Sequence, residues 1–213
     1  MALKGVIQRD PERPVSLYRD CVQVDGKDVG VAEKLYLLLN KPRGLVTTRS
    51  DEQGRATVYE GLARDLPWLA PVGRLDKASE GLLLLTNDSQ WAARILAPET
   101  HLAKTYHVQI ASLADDRMLA ALRKGVRDRE GEMLRVRKAN ILRHGERNSW
   151  LEMVLDEGKN RHIRRMLEQL GIEVLRLVRV AIGPLALGEL AKGKYRALTL
   201  AEKRLLDAAM RRK

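Results

Sequence analysis

The chain has a single cysteine, Cys21, and no phenylalanine. One thiol excludes an intrachain disulfide and argues for a reducing compartment. Three Trp and five Tyr are the only aromatic residues among 213, so Leu, Val and Ala must fill the interior. Leu82–Leu85 is the longest pure leucine run, far short of the roughly 18 residues a membrane-spanning helix needs. Met1–Arg13 has no apolar core and ends in charge and proline, unlike a secretory leader. No segment is low in complexity and no repeat period is evident. Neither G-x-x-x-x-G-K-S/T nor G-x-G-x-x-G occurs, so no nucleotide-phosphate signature is present. His101, His107, His144, His162 and Cys21 fit no zinc spacing, and there is no G-x-S-x-G nucleophile elbow. Membrane-spanning, disulfide-rich and collagenous classes are excluded. Any chemistry is expected to use ordinary side chains, with no metal and no cofactor.

What the chain does have is charge. Lys and Arg number 39 against 28 Asp and Glu, a net charge of +11 and a pI near 10.0. Such an excess attracts phosphate or anionic lipid, or it simply solvates a basic face. Gly158–Arg179 concentrates it, with Lys159, Arg161, Arg164, Arg165, Arg176 and Arg179 against Glu168 and Glu173. Hydrophobic residues make up 45% and charged residues 31%, a globular composition of one domain or two small lobes.

Local patterns divide the chain. Residues 1–14 read as a mobile tail. Cys21–Val31 alternates apolar and polar about Asp25-Gly26, a hairpin turn signal. Leu35–Leu39 suits a buried strand that ends at the turn Asn40-Lys41-Pro42-Arg43-Gly44, with Leu45–Thr48 as a returning strand. Leu82–Thr86 is a second buried strand, and Asn87-Asp88-Ser89 caps a helix over Gln90–Leu96. Lys104–Ile110 alternates, with Tyr106, Val108 and Ile110 on one face. Asp115–Lys124 reads as a helix with acid in its first turn and Gly125 beyond its end. Glu132–Ile141, Ser149–Leu155 and Glu173–Ile182 have strand character. In Arg161–Leu170, Ile163, Met166, Leu167 and Leu170 fall at i, i+3, i+4 and i+7, with Gly171 following. Thr199-Leu200-Ala201-Glu202 is a capping box. Strands and helices in no regular alternation predict an α+β class with a mixed, mostly antiparallel sheet and flanking helices.

One loop draws chemical interest. In Pro71–Asp88, Gly73 and Gly81 bracket Arg74, Asp76, Lys77, Ser79 and Glu80. Asp76 is either a turn former or a reactive group. Arg74 and Lys77 nearby favour its ionised form, and an ionised, partly desolvated carboxylate is a competent nucleophile.

Four blocks now stand in order: LLLNKPRGLVTT at 37–48, GRLDKASEGLLLLTND at 73–88, KTYHVQI at 104–110, and EGKNRHIRRMLEQLGIEVLRLVRVAIGPL at 157–185. With the closing GKYRALT at 193–199, the set resembles the ribosomal branch of the pseudouridine synthases. That branch is typified by the A-type enzyme of small-subunit RNA and the B-, E- and F-type enzymes of large-subunit RNA. The resemblance covers about residues 33–200. It implies a pseudouridine synthase fold with two subdomains around a central cleft, in a catalytic domain over 33–213. Residues 1–32 are then a tail or short hairpin rather than a complete RNA-binding domain of the S4 type, which makes the chain most like the short E-type members.

The resemblance also implies roles. Asp76 is the nucleophile that attacks the target uridine, whose glycosidic bond breaks before the base turns and rejoins through C5. Tyr106, otherwise a core tyrosine, stacks on the base. Arg164 pairs with the catalytic carboxylate. Arg74 contacts phosphate or holds the extruded nucleotide, and Arg161 and Arg165, otherwise on a solvated helix face, reach phosphate. Lys41, Arg43, Lys104, Lys159 and Asn160 complete the expected RNA contacts, the first two lying in a turn that is structural or RNA-facing. His162 departs from the glutamine common at its position. The implied activity is cofactor-free isomerisation of a uridine in ribosomal RNA, that of the large ribosomal particle in first place, by a cytoplasmic monomer. A non-catalytic RNA-binding or ribosome-assembly protein, and the same chemistry on tRNA, are the alternatives.

Overall fold

The computed structural model describes residues 1–3, 5–10, 12–16, 20–29 and 33–211, which form two compact units, Met1–Lys34 and Leu35–Lys213. In the first unit, β1 (Ala2–Leu3), β2 (Val6–Ile7), β3 (Val22–Val24) and β4 (Lys27–Val29) pair antiparallel in the order β2-β1-β3-β4. The β3–β4 hairpin turns on Asp25 and Gly26, both at positive φ (53° and 74°), as a two-residue primed turn requires. The tail expected over 1–14 is therefore partly strand: Ala2 and Leu3 pair with Val6–Ile7 on one side and Val22–Gln23 on the other. No periodicity marks such two-residue strands; the hairpin partner sets them. Gly30 and Val31, the end of the expected hairpin segment, lie outside the described residues.

The second unit is built on one nine-stranded sheet. Its strands are β5 (Tyr36–Lys41), β6 (Ala70–Pro71), β7 (Glu80–Thr86), β8 (Lys104–Ile110), β11 (Lys138–His144), β12 (Ser149–Leu155), β13 (Val174–Ile182), β14 (Leu185–Ala186) and β15 (Tyr195–Ala197); β9 (Val126–Arg127) and β10 (Met133–Leu134) form a separate hairpin. The main order is β11-β12-β8-β13-β7-β5-β15, with β14 on β13 and β6 on β7. Every pairing is antiparallel except β13–β7, which is parallel and holds only two register pairs, Val178–Glu80 and Arg179–Gly81. That short joint is a seam between two halves. At it, Gly81 sits at φ +102°, and a Cβ there would fall 2.3 Å from the Arg179 carbonyl oxygen and 2.8 Å from its amide nitrogen, so only glycine fits.

Helices α1 (Ser89–Leu96), α2 (Asp116–Lys124), α3 (His162–Gln169) and α4 (Leu200–Ala209) flank the sheet. Their caps follow the sequence signals. Asp88 accepts from the Trp91 amide, Asp115 from the Met118 amide, and Thr199 with Glu202 closes the capping box. α3 buries Ile163, Met166 and Leu167 against Val108, Ile110 and alternate residues of β12, each worth about 2 kcal/mol of apolar burial. β7 is buried on both faces. Leu82 and Leu84 meet Trp91, Ile95 and Leu206, while Leu83 and Leu85 meet Val58, Leu69 and Leu75. Tyr106 packs against cores of both halves. The two subdomains expected around a cleft are thus two halves of one continuous sheet.

Two expected elements differ. Leu45–Thr48 is no returning strand: Val46 makes an isolated parallel bridge to Thr57, and β5 takes β7 and β15 as its partners instead. Glu132–Ile141 divides into β10 and β11, because Leu134 pairs with Val126 while Lys138 onward pairs with β12. No described helix is long and apolar enough to cross a membrane.

Candidate active site

The segment between β6 and β7 returns to the seam as a loop whose backbone is fixed along its length. The Leu75 carbonyl accepts from Thr47 Oγ1 (2.7 Å), that of Asp76 from the Ser79 amide (2.9 Å) and Lys41 Nζ (3.1 Å). The Lys77 carbonyl accepts from the Gly44 amide (2.8 Å), that of Ala78 from Arg164 Nη2 (3.0 Å), and that of Ser79 from Lys41 Nζ (2.8 Å). Every carbonyl from Leu75 to Ser79 is thereby engaged. With its backbone held, the Asp76 side chain projects outward and keeps 37% of its surface exposed.

Asp76 borders two hollows. The larger, about 800 Å³, lies over the seam and is lined by Arg74, Asp76, Lys104, Tyr106, Lys159, Asn160 and Arg161, with apolar walls from Leu155, Leu177 and Ile182. The second, about 520 Å³, is lined by Thr48, Ser50, Asp51, Lys77 and others, and shares Arg74, Leu75, Asp76, Asn160 and Arg161 with the first. Seven of the eleven residues expected from the sequence thus share the larger hollow: Arg74, Asp76, Lys104, Tyr106, Lys159, Asn160 and Arg161. Strand alternation explains Lys104 and Tyr106, which point to the same face of β8. Burial pushes the Lys104 ammonium below its usual value; Arg179 adds to this and Asp156 opposes it. Lys159 pairs with Glu157 (3.1 Å) and Glu132 (3.2 Å) at the rim.

The other four residues stand elsewhere. Lys41 is fully buried, and its ammonium is used on the carbonyls of Pro42, Asp76 and Ser79, which makes it part of the loop's scaffold, the structural one of its two expected roles. Burial lowers its pKa from 10.5 to about 8, against the pull of the Asp76 and Glu80 carboxylates. Arg165, expected on phosphate, instead forks onto Asp128 and Glu132, both at 2.7 Å. Arg164, expected on the Asp76 carboxylate, holds the Ala78 carbonyl and feels the Asp76 charge; among the described residues the guanidinium within ion-pair range of that carboxylate is Arg161, at 3.9 Å. Arg161 can reach there because it enters α3 in the left-handed conformation (φ 48°), one residue before the helix proper. Arg43 is exposed, with only a long contact (3.5 Å) to the Leu175 carbonyl.

Glu80, also in the loop segment, is no second reactive acid. Burial raises its pKa, but a bidentate contact from Arg176 and a contact from Lys192 outweigh this and hold it below the ordinary range. Among the lining residues of the larger hollow that the sequence reading did not name as site residues are Ser79, His162 and Arg179. His162 is buried, which keeps its imidazole pKa below the usual value. Arg179 had a legible signal. It stands two residues after the buried Leu177 on β13, at an inward position where an apolar residue is the rule.

Among the described residues no cluster of His, Cys, Asp or Glu is arranged to hold a metal ion. What the site offers is a fixed, partly exposed carboxylate, an aromatic ring and several cations around a hollow of nucleotide size.

Comparison with known proteins agrees with this reading of the fold. Residues 35–169 match the RNA pseudouridylate synthase family. An uncharacterised RNA pseudouridine synthase of Aquifex aeolicus is 40% identical over 186 residues, 86% of this chain and 74% of its own. The ribosomal large subunit pseudouridine synthase B of Bacillus subtilis is 35% identical over 190 residues, 89% of this chain and 78% of its own. A crystal structure of a pseudouridylate synthase superposes with a TM-score of 0.73 at 32% identity, covering 96% of this chain and 87% of that one.

Proposed function

The chain belongs to the RNA pseudouridylate synthase family, isomerases that act on RNA, and on that premise we propose that it converts a specific uridine of large-subunit ribosomal RNA to pseudouridine, with Asp76 as the nucleophile. One observation carries the proposal: the Asp76 carboxylate stands exposed on a pinned backbone, at the wall of a hollow that also holds Tyr106, Arg74 and Arg161. A target base stacked in RNA is out of reach of a carboxylate set in the wall of a hollow. The nucleotide must be extruded, at a cost of a few kcal/mol, and backbone contacts to Arg74, Lys77, Arg43 and Arg161 offset that cost. Tyr106 then stacks on the extruded ring. Asp76 attacks, the bond from N1 to the ribose C1′ breaks, the ring turns, C5 bonds to C1′, the bond to Asp76 is released, and the proton lost from C5 is balanced by the one gained at N1. No atom is gained or lost overall, so the chain's own side chains suffice. The B. subtilis relative bears a large-subunit name, which supports that RNA as the substrate. We also propose that the protein works as a monomer in the cytoplasm.

The test is pseudouridine mapping on unmodified large-subunit rRNA, small-subunit rRNA and tRNA transcripts, wild type beside Asp76→Asn. Product at one position of the large-subunit transcript, lost in the Asn variant with RNA affinity kept, is expected. Robust product from Asp76→Asn overturns the nucleophile; product on tRNA alone overturns the substrate; RNA binding without product on any transcript favours a non-catalytic RNA-binding protein.

A further inference from the structure

We propose that Arg179 and Ser79 bind the carbonyl edge of the target base and make the site accept uracil and reject cytosine; this deepens the function proposed above and rests on it.

Both side chains are buried, with 6% of Arg179 and 2% of Ser79 exposed, and both line the hollow that contains Asp76 and Tyr106. Arg179 donates through Nε to the Leu82 carbonyl at 2.7 Å, but its Nη2 has no hydrogen-bond partner among the described residues. Nor does Ser79 Oγ. Among the described residues no carboxylate comes within ion-pair distance of Arg179. The ammonium groups of Lys41 and Lys104, of its own sign, are near enough to feel its charge. A buried guanidinium with no counter-charge and a free N–H is among the least favourable arrangements a core can hold. Its retention beside the Ser79 hydroxyl, another of the buried groups without a partner in the same hollow, points to a guest that satisfies both.

The chemistry of the guest follows from the donors. A guanidinium donates only, whereas a hydroxyl donates or accepts. Uracil presents acceptor oxygens at C2 and C4, while cytosine presents a donating amino group at C4. Arg179 is set at the C4 substituent, since both bases carry an oxygen at C2; there it meets an acceptor in uracil and an opposing donor in cytosine. Isomerisation adds a second reason. Turning the ring about its N3–C6 axis exchanges O2 with O4, so fixed donors find an acceptor at the same place before and after. Cytosine lacks that symmetry. A backbone phosphate is the poorer candidate, because the exposed Arg74 and Arg161 serve it at the rim, whereas Arg179 lies on the strand opposite Tyr106, at the seam.

Ser79→Ala, Arg179→Met and Arg179→Lys test this on rRNA transcript, with the melting temperature, RNA affinity and single-turnover rate measured for each. Ser79→Ala loses no side-chain hydrogen bond within the protein, so its melting temperature and RNA affinity should hold while turnover slows about tenfold. Arg179→Met should slow turnover on the order of 100-fold or more. Should it fail to fold, Arg179→Lys, which keeps the charge but not the fork, carries the test. Independently of turnover, ligand-observed NMR of uridine and cytidine 5′-monophosphates should show uridine preferred by wild type and the preference lost in Arg179→Lys. Equal signals from the two nucleotides with wild type, none from either, or an Arg179→Lys protein with unchanged turnover and preference overturns the proposal. Wild type that forms no pseudouridine in any RNA defeats the proposed function, while the nucleotide comparison still decides the roles of Arg179 and Ser79.

Discussion

Replacing Lys41 by Met removes a buried ammonium and keeps a long side chain in its place. The carbonyls of Pro42, Asp76 and Ser79 each lose a charged donor. At about 1–2 kcal/mol apiece, that is a loss of roughly 3–6 kcal/mol. Against it stands the penalty for burying the charge. A pKa held at about 8 rather than 10.5 corresponds to about 3 kcal/mol of native-state cost at neutral pH. The two effects largely offset each other at pH 7, where Lys41→Met should be less stable than wild type by about 0–3 kcal/mol. The sign of the pH dependence is fixed. Between pH 8 and 10.5 the unfolded chain keeps the Lys41 proton that the native state has given up, so wild-type stability rises through this window relative to the variant. The gap between the two proteins should widen by about 3 kcal/mol from pH 7 to above 10.5, and groups common to both cancel in the difference. Urea titrations at steps of pH from 7 upward, followed by tryptophan fluorescence, read it directly. A gap that stays constant or narrows would refute the claim that this ammonium is buried at the expense of stability to hold the Asp76 loop. Turnover of the variant at pH 7 should fall well beyond its loss of stability, because the loop backbone is freed.

Three other changes probe the rest of the site. Gly81→Ala drives a methyl group into the Arg179 backbone at positive φ, so it should destabilise the protein by more than about 3 kcal/mol and open the seam, seen as a large drop in melting temperature. Arg165→Ala should destabilise by about 3 kcal/mol, since it leaves the buried Asp128 carboxylate unpaired, yet leave the salt slope of RNA binding unchanged; Arg74→Ala should lower that slope by about 1 with little effect on stability. An Arg165→Ala protein with a reduced slope would return that residue to the RNA surface. Tyr106→Phe should retain RNA affinity and slow turnover, and unchanged single-turnover rates would remove its hydroxyl, although not its ring, from the chemistry.

The repeating patterns of the chain were sufficient for much of this architecture. The helix around Met166 and Leu167, the alternation from Lys104 to Ile110 and the caps at Asp88, Asp115 and Thr199 are written within a few residues of one another, because helical periodicity, strand alternation and capping are local physics. The GRLD loop and its attendant blocks also marked Asp76 and Tyr106, and both line one hollow. What the cations do was not legible in the same way. Lys41 read as structural or RNA-facing, Arg164 as the partner of the Asp76 carboxylate and Arg165 as a phosphate contact, yet the groups they hold, 35, 86 and 37 residues away along the chain, are inside the protein. The two-residue strands near the N-terminus depend likewise on segments that meet only once the chain has folded. Composition and spacing determined which groups are present and on which element each stands. Packing across the seam decided which of those charges are consumed inside the protein and which remain for a ligand, because a charge's role depends on the groups it meets in space.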